Sequence, residues 1–329
     1  MTKNDKLLTI SVAAYNVEDY VSKTLESCIA IDEGFASRLD VIVVNDGSSD
    51  ATSLVAHKFE SRYPNIVRVV DKSNGGYGST INHSLSLARG KFFRCLDGDD
   101  WFDPSSLELL LKVLERTDAE AVYTPFTHCY EVDGRKDLVD CLANHSEGIF
   151  DLDDIVDGSF LALTYLTFRT DCLRKINLKI TEGCFYTDCE FAFLPFQIIR
   201  SVHITHLSLY CYRIGRSGQS ISIEGLTAHY RDNLRVCSDL VKTLAENRNY
   251  QSGCLFDALA ELCTSPYSIL FKIPPDADRK TALIQFDRLM FDYPKLYFAV
   301  GRKSKKAWLA RITNFTAYRI LCLISGWGR

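Results

Sequence analysis

The chain has 329 residues, with 38 Lys and Arg against 42 Asp and Glu, a formal charge of −4. That length gives room for one large domain or two smaller ones with ample core, and the slightly acidic balance excludes a general nucleic-acid binder. Twelve cysteines are scattered from Cys28 to Cys322 without a C-x-x-C pair, which excludes a zinc knuckle and predicts free, mostly buried thiols in a reducing cytoplasm.

Met1 to Lys6 is polar and Leu7 to Ala14 is too short for a signal-peptide core, so no leader is expected. No apolar run is expected to reach the ~20 residues that span a bilayer. Leu7–Ala14 reads as a first buried strand, and Val21, Leu25, Cys28 and Ile29 then share one helix face. Leu39–Val44 is a second strand, ending in Asn45-Asp46-Gly47-Ser48-Ser49-Asp50, a turn and helix cap in one. A helix through Leu54, Val55, Lys58 and Phe59 leads to a third strand, Ile66–Val70. The loop Asn74-Gly75-Gly76-Tyr77-Gly78 follows, then a third helical face of Ile81, Leu85 and Ala88, closed by Gly90.

The fourth strand is the most informative. Lys91–Leu96 is an apolar run that breaks into Asp97-Gly98-Asp99-Asp100, then Trp101, Phe102 and a helix opened by Asp103-Pro104. Strand and helix alternate up to this point, which predicts an α/β fold with a mostly parallel sheet and helices on both faces. Ligands bind such sheets at the carboxyl edge. Three acids packed there repel one another unless a cation neutralises them, and a hard divalent ion, Mg2+ or Mn2+, suits oxygen donors that also grip a phosphate. A polar turn with a helix cap is the plainer alternative, and Asp103 is read as the cap.

The pattern loosens after the helix carrying Leu107, Leu110, Leu111 and Leu114. Ala121–Tyr130, Leu161–Phe168 and Val202–Arg213 read as strands of a mixed half-sheet, and Phe185–Ile199 as a helix. From about Leu226 onward the composition is helical, so a boundary is drawn at Glu224, giving residues 1–224 and 225–329.

Three strand-end clusters converge on the edge that carries the acids. The first holds Ala14, Tyr15, Asn16 and Glu18; the second Asp46, Gly47 and Ser48; the third Asn74, Gly75 and Gly76. Glycine there lets backbone approach a ligand closely. Together with Asp97, Gly98, Asp100 and Trp101 they describe a nucleotide-diphosphate pocket with a metal. A dehydrogenase is unlike this pattern, because Gly75-Gly76-Tyr77-Gly78 lacks G-x-G-x-x-G spacing.

In order, VAAYNVEDY, VVNDGSSD, NGGYGSTIN (ending at Asn82) and LDGDDWFDP resemble the signature of family 2 glycosyltransferases of the GT-A fold, over roughly Leu7 to Ser222. The resemblance implies transfer of a sugar, UDP-linked, from a nucleotide-sugar donor to an acceptor hydroxyl of a glycan or of a lipid- or protein-linked glycan, with inversion at the anomeric carbon. It implies that Asp46 contacts the nucleoside, that Asp99 ligates the metal, and that Asp97 meets the ribose or sugar and the metal shell. It also places a catalytic base at the start of a helix, where TEGCFYTDCEF offers Asp188, with Glu190 second; the family's Glu-Asp pair is Thr-Asp here. Thr187 to Glu190 also fits a capping box. The segment from Tyr210 to Ser222 resembles the family's closing loop, in which Arg213 or Arg216, with Gln219 and Ser220, would meet the departing diphosphate. His203 and His206 read as ordinary core or edge residues. A nucleotidyltransferase and a non-catalytic partner subunit are the rival readings.

Gly301–Arg329 carries Arg302, Lys303, Lys305, Lys306, Arg311, Arg319 and Arg329 without an acid, interleaved with Trp308, Leu309, Ile312, Phe315, Ile320, Leu323 and Trp327. It reads as a segment lying on an anionic membrane surface, which would make the protein peripheral on the inner face of the plasma membrane. A terminal helix docked on its own domain is the alternative.

Overall fold

A computed structural model describes residues 6–215, 222–251 and 253–325. The chain divides into two compact units, Met1–Asp154 with Ser159–Arg216, and Ile155–Gly158 with Ser217–Arg329.

The first unit opens with β1 (Leu8–Ala14), α1 (Val21–Ile29), a short α2 (Glu33–Ala36), β2 (Leu39–Asp46), α3 (Thr52–Arg62), β3 (Val67–Lys72), α4 (Tyr77–Leu87) and β4 (Phe92–Asp97). β1, β2 and β4 are buried almost throughout, as apolar runs between turns demand. β5 (Trp101–Phe102) and α5 (Pro104–Arg116) follow. Asp103 caps α5 by accepting from Ser106 N at 2.8 Å, and Leu107, Leu110, Leu111 and Leu114 bury its inner face.

Next come β6 (Ala121–Tyr123), β7 (Phe126–Tyr130), β8 (Lys136–Val139), β9 (Gly148–Asp151), β10 (Leu166–Arg169), α6 (Thr170–Lys175), α7 (Asp188–Phe193), β11 (Ser201–Ile204) and β12 (Tyr210–Ile214). The main sheet runs β3-β2-β1-β4-β10-β6-β11-β9, its first four strands parallel; a second sheet runs β5-β12-β7-β8.

Three expected elements are divided. Ala121–Tyr130 is split at Thr124-Pro125, because proline cannot donate to a ladder. The helix expected to Ile199 stops at Phe193 and continues as a 3-10 turn through Pro195. Val202–Arg213 is two strands in different sheets. The turn between them is pinned by His206, whose ring meets Asp140 at 2.8 Å and the His145 carbonyl at 2.9 Å. Those partners lie about sixty residues away, beyond any local pattern. Leu161–Phe168 contributes strand only from Leu166, after a 3-10 turn at Leu163–Tyr165.

The second unit is helical: α8 (Ile223–Leu244), α9 (Gly253–Leu262), α10 (Ser265–Lys272), α11 (Ala277–Phe291), α12 (Pro294–Lys303), α13 (Lys305–Ile312) and α14 (Tyr318–Ile324). Gly253–Lys272 has the length and apolar composition of a membrane span, contrary to the sequence expectation. It forms two helices that pack on α8 and α12 and bury most of its apolar residues.

Candidate active site

The parallel register sets the site. Ala13 lies beside Asp97, Ala14 beside Asn45, and Asp46 beside Lys72, so four strand ends form one carboxyl edge. The loops leaving it are tied together. Asn16 N donates to Ser48 Oγ at 3.0 Å, Asn16 Oδ1 accepts from Ser49 N at 2.9 Å, and Glu18 Oε2 accepts from Ala51 N at 2.6 Å, close to the start of α3. Tyr15 beside them stays exposed.

At the end of β4 the chain turns sharply. Gly98 N donates to Ala13 O at 2.9 Å, and a Cβ at Gly98 would stand 2.7 Å from that oxygen, so only glycine fits. Thr24 of α1 supports the turn, its hydroxyl 2.9 Å from Gly98 O and 2.7 Å from Asp100 O. Carboxylate oxygens of Asp97, Asp99 and Asp100 come within 4.8 Å of one another. Tyr77 donates to Asp97 at 2.7 Å, while Tyr210 and Arg213 N donate to Asp100 at 2.8 and 2.7 Å. These phenol and amide donors carry no formal charge. Burial, then the Asp99 charge, push Asp97 up to about 7; burial, then Asp97 and Asp99, push Asp100 up to about 8. Carboxyls that resist ionising together, all offering oxygen, fit a hard divalent cation.

Arg213 is buried behind this turn. Its Nε donates to Asp99 O at 2.7 Å, its guanidinium pairs with Glu131, and it lies over the rings of Tyr20 and Trp101 at 4.6 and 5.0 Å. Lys23 covers Trp101 at 3.2 Å. Arg216, Gln219 and Ser220 lie outside the described residues.

Asp46 is buried and engaged by its own chain. Its oxygens accept from Gly75 N at 2.9 Å and Gly76 N at 2.8 Å, and Lys72 pairs with it. Asp46 therefore fixes the Gly75–Gly76 loop, leaving Asn74 exposed at its tip. Gly47 adopts φ +75 against Asn74.

That loop in turn holds the segment before α7. Gly183 N donates to Gly75 O at 2.6 Å, and a Cβ at Gly78 would fall 2.1 Å from Thr181 O. Asn82 brackets Ile180, accepting from its N–H at 2.9 Å and donating to its carbonyl at 2.8 Å. The chain then passes Tyr186 at φ 65, a strained value for a non-glycine residue, and starts α7 at Asp188. Asp188 is exposed as a residue, yet the protein mass around its carboxyl raises its pKa. It acts electrostatically on Asp97, Tyr77 and Tyr212, so the fold brings it to the acidic cluster. Glu190 is instead buried against Thr181, accepting from its N at 2.7 Å and its hydroxyl at 2.8 Å. The capping box that Thr187 to Glu190 also fits does not form: Thr187 makes no side-chain cap, and its buried hydroxyl has no hydrogen-bond partner among the described residues.

Sequence reasoning missed Thr24, Lys72, Tyr77 and Tyr210 as individual site residues. Tyr77 and Tyr210 stood inside quoted motifs, and a buried phenol beside clustered acids was the available signal. Thr24 sits mid-helix, where nothing local distinguishes it.

The model of Glycosyl transferase family 2 matches residues 9–185, more than half of the chain. The chain belongs to this family and is a glycosyltransferase. An uncharacterized glycosyltransferase of Mycoplasma pneumoniae, the MG060 homolog, is 24% identical over 250 residues, covering 73% of this chain and 79% of that protein. The chondroitin synthase of Pasteurella multocida is 36% identical over 119 residues, 36% of this chain but only 12% of the synthase. The fold is that of S. aureus TarS residues 1–349, solved in complex with UDP-GlcNAc: TM-score 0.72, 17% identity, 98% of this chain and 93% of that one. The mannosyltransferase PcManGT from Pyrobaculum calidifontis, solved with GDP-Man and Mn2+, superposes with TM-score 0.52 at 16% identity, covering 98% of this chain and 87% of that one.

Proposed function

We propose that this glycosyltransferase moves a sugar from a nucleotide-diphosphate sugar, UDP-linked, to a hydroxyl of a glycan or of a lipid- or protein-linked glycan, inverting the anomeric carbon. The observation that carries the reading is the clustering of Asp97, Asp99 and Asp100 at the sheet's carboxyl edge, with the charge of Asp188 on α7 felt at Asp97. The UDP-GlcNAc complex of TarS supports the donor class, and the Mn2+ complex of PcManGT supports a divalent ion. The name of the chondroitin synthase relative supports a glycan acceptor. Twelve free cysteines support a cytoplasmic enzyme. The catalytic domain is residues 1–224, followed by a helical region, 225–329.

Asp99 and Asp97 would hold Mg2+ or Mn2+. When bound, the cation offsets negative charge on the departing diphosphate. Asp46, Tyr15, Asn74 and the Gly75–Gly76 backbone would line the nucleoside side, and Trp101 the sugar side. Arg213 keeps the acidic turn in place from behind. Asp188 takes the proton of the acceptor hydroxyl as the new bond forms, and its raised pKa strengthens it as a base near neutrality.

The test is a panel of UDP- and GDP-sugars, scored for thermal stabilisation and for slow hydrolysis with and without Mn2+ or Mg2+. Metal-dependent stabilisation by UDP, with one donor hydrolysed, is expected. Pyrophosphate release from a nucleoside triphosphate would instead identify a nucleotidyltransferase.

A further inference from the structure

The last two helices of the second unit are each two-sided. α13 buries Ala307 and Ala310 and exposes Trp308, Leu309 and Ile312; α14 buries Tyr318, Leu321 and Cys322 and exposes Ile320, Leu323 and Ile324. The buried sides are docked, with Tyr318 Oη donating to Leu270 O at 3.3 Å and both helices packed on α10. Arg311 is spent inward, 2.6 Å from Asp287 and 3.6 Å over the Tyr297 ring. The described part of the tail, to Ser325, is therefore docked, as in the alternative reading. Docking leaves six large apolar side chains in water, more than half of the area of Trp308, Ile312 and Ile320 being accessible.

Charge decides what covers them. No Asp or Glu occurs from Tyr293 to Arg329, while Arg302, Lys303, Lys305, Lys306 and Arg319 accompany the apolar faces. Arg302 and Lys303 end α12, where cations suit the helix dipole, and Lys303 lies 3.8 Å from Glu261. Lys305 and Lys306 begin α13, directly after its Ser304 cap, where the dipole disfavours them. The helix dipole gives no reason for lysines there; Lys306 is half-buried beside Cys322, while Lys305 is exposed and its charge faces outward. A second copy is a poor occupant, since a two-fold contact would set these cations against themselves.

We propose that the exposed faces of α13 and α14 seat the enzyme on an anionic lipid bilayer, with Trp308, Ile312, Ile320 and Leu323 entering the interface and Lys305, Lys306 and Arg319 meeting lipid headgroups. Several such cations act together, and their attraction is screened by salt.

The experiment is sedimentation of the full chain with phosphatidylglycerol-containing and pure phosphatidylcholine vesicles, at low and moderate salt. Pelleting with anionic vesicles only, weakened by salt, is expected. Lys305→Glu/Lys306→Glu/Arg319→Glu should lower the partition coefficient about tenfold or more, and Trp308→Ser/Ile312→Ser should lower it at all salt concentrations. All but the half-buried Lys306 are exposed, and an unchanged melting temperature verifies that each variant folds. Absence of lipid-dependent pelleting overturns the proposal. So does a concentration-dependent dimer dissolved by Trp308→Ser/Ile312→Ser without lipid binding, which would make the face a self-interface. None of these readouts depends on the sugar-transfer reading.

Discussion

The two halves of the catalytic unit hold their carboxylates by different means. Asp97, Asp99 and Asp100 stand at the end of a buried parallel strand, their position set by the β1–β4 ladder, by Gly98 against Ala13, and by Thr24. Asp188 stands on a two-turn helix reached through an irregular segment, and its position is set by side-chain and loop contacts from Asn82, Gly75 and Gly78 of the first half. The acidic cluster is thus built into the sheet, and Asp188 is hung from it. Loops carried on a rigid sheet can vary without rebuilding the core.

Breaking the sheet-borne cluster should have the largest effect. Asp99→Ala is expected to cut turnover by about 10³-fold or more, in line with the several kcal/mol that a metal centre supplies. Metal-dependent UDP binding should vanish in titration calorimetry. Normal turnover in the variant, with a parent enzyme indifferent to EDTA, would falsify the metal assignment.

The loop-borne residue should behave differently. Asp188→Asn is expected to keep donor affinity and lower kcat by ~100-fold or more, as loss of a general base does. Glu190→Gln weakens two hydrogen bonds to Thr181, so it should cost about 1–2 kcal/mol of stability while the folded enzyme keeps its rate. The reverse pattern, a normal Asp188→Asn and a dead Glu190→Gln, would move the base to Glu190.

A pH experiment sharpens the contrast. Asp97 and Asp100 have folded pKa values raised to about 7 and about 8. Across the window from the ordinary aspartate range up to those values, the native state keeps protons that the unfolded chain has released. Their contribution to stability therefore falls as pH rises. The metal-free Tm of the parent should drop relative to Asp97→Asn between about pH 5 and 8, and Mn2+ should restore it while binding more tightly as pH rises through 7. A Tm difference flat with pH would show that the cluster is not under charge strain. Asp188 also has a raised pKa, so the acid limb of kcat should lie above the ordinary carboxylate range.

The same contrast explains what was legible. The first four strands and their helices follow apolar runs bounded by turn residues, and the acids sit at a strand end, so Leu8 to Phe102 could be read locally. The family motifs supply the candidate residues as far as Asp188. Beyond Leu114 the strands and α7 are short, and their limits depend on Pro125, Pro195 and the remote partners of His206. Asp46, Asn16 and Glu18 read as ligand contacts, and the hydrogen bonds that also tie them to other loops run between segments about thirty residues apart. Sequence spacing cannot reveal such ties.

The smallest expected effect tests the suspension itself. Asn82 makes no contact with the acidic cluster among the described hydrogen bonds; it bonds both backbone groups of Ile180 and reaches Glu182 at 2.9 Å. Asn82→Ala removes these bonds from the segment that leads to Asp188, while Gly183 N to Gly75 O and the Gly78 contact remain. The segment should therefore stay attached but loosen, and a base displaced by a fraction of an ångström loses rate before it loses substrate. A several-fold fall in kcat is expected, about 1 kcal/mol of transition-state stabilisation, with unchanged UDP affinity and metal dependence. If Asn82→Ala weakens UDP binding as much as it slows transfer, Asn82 serves the donor directly. If kcat is untouched, the remaining contacts alone position Asp188.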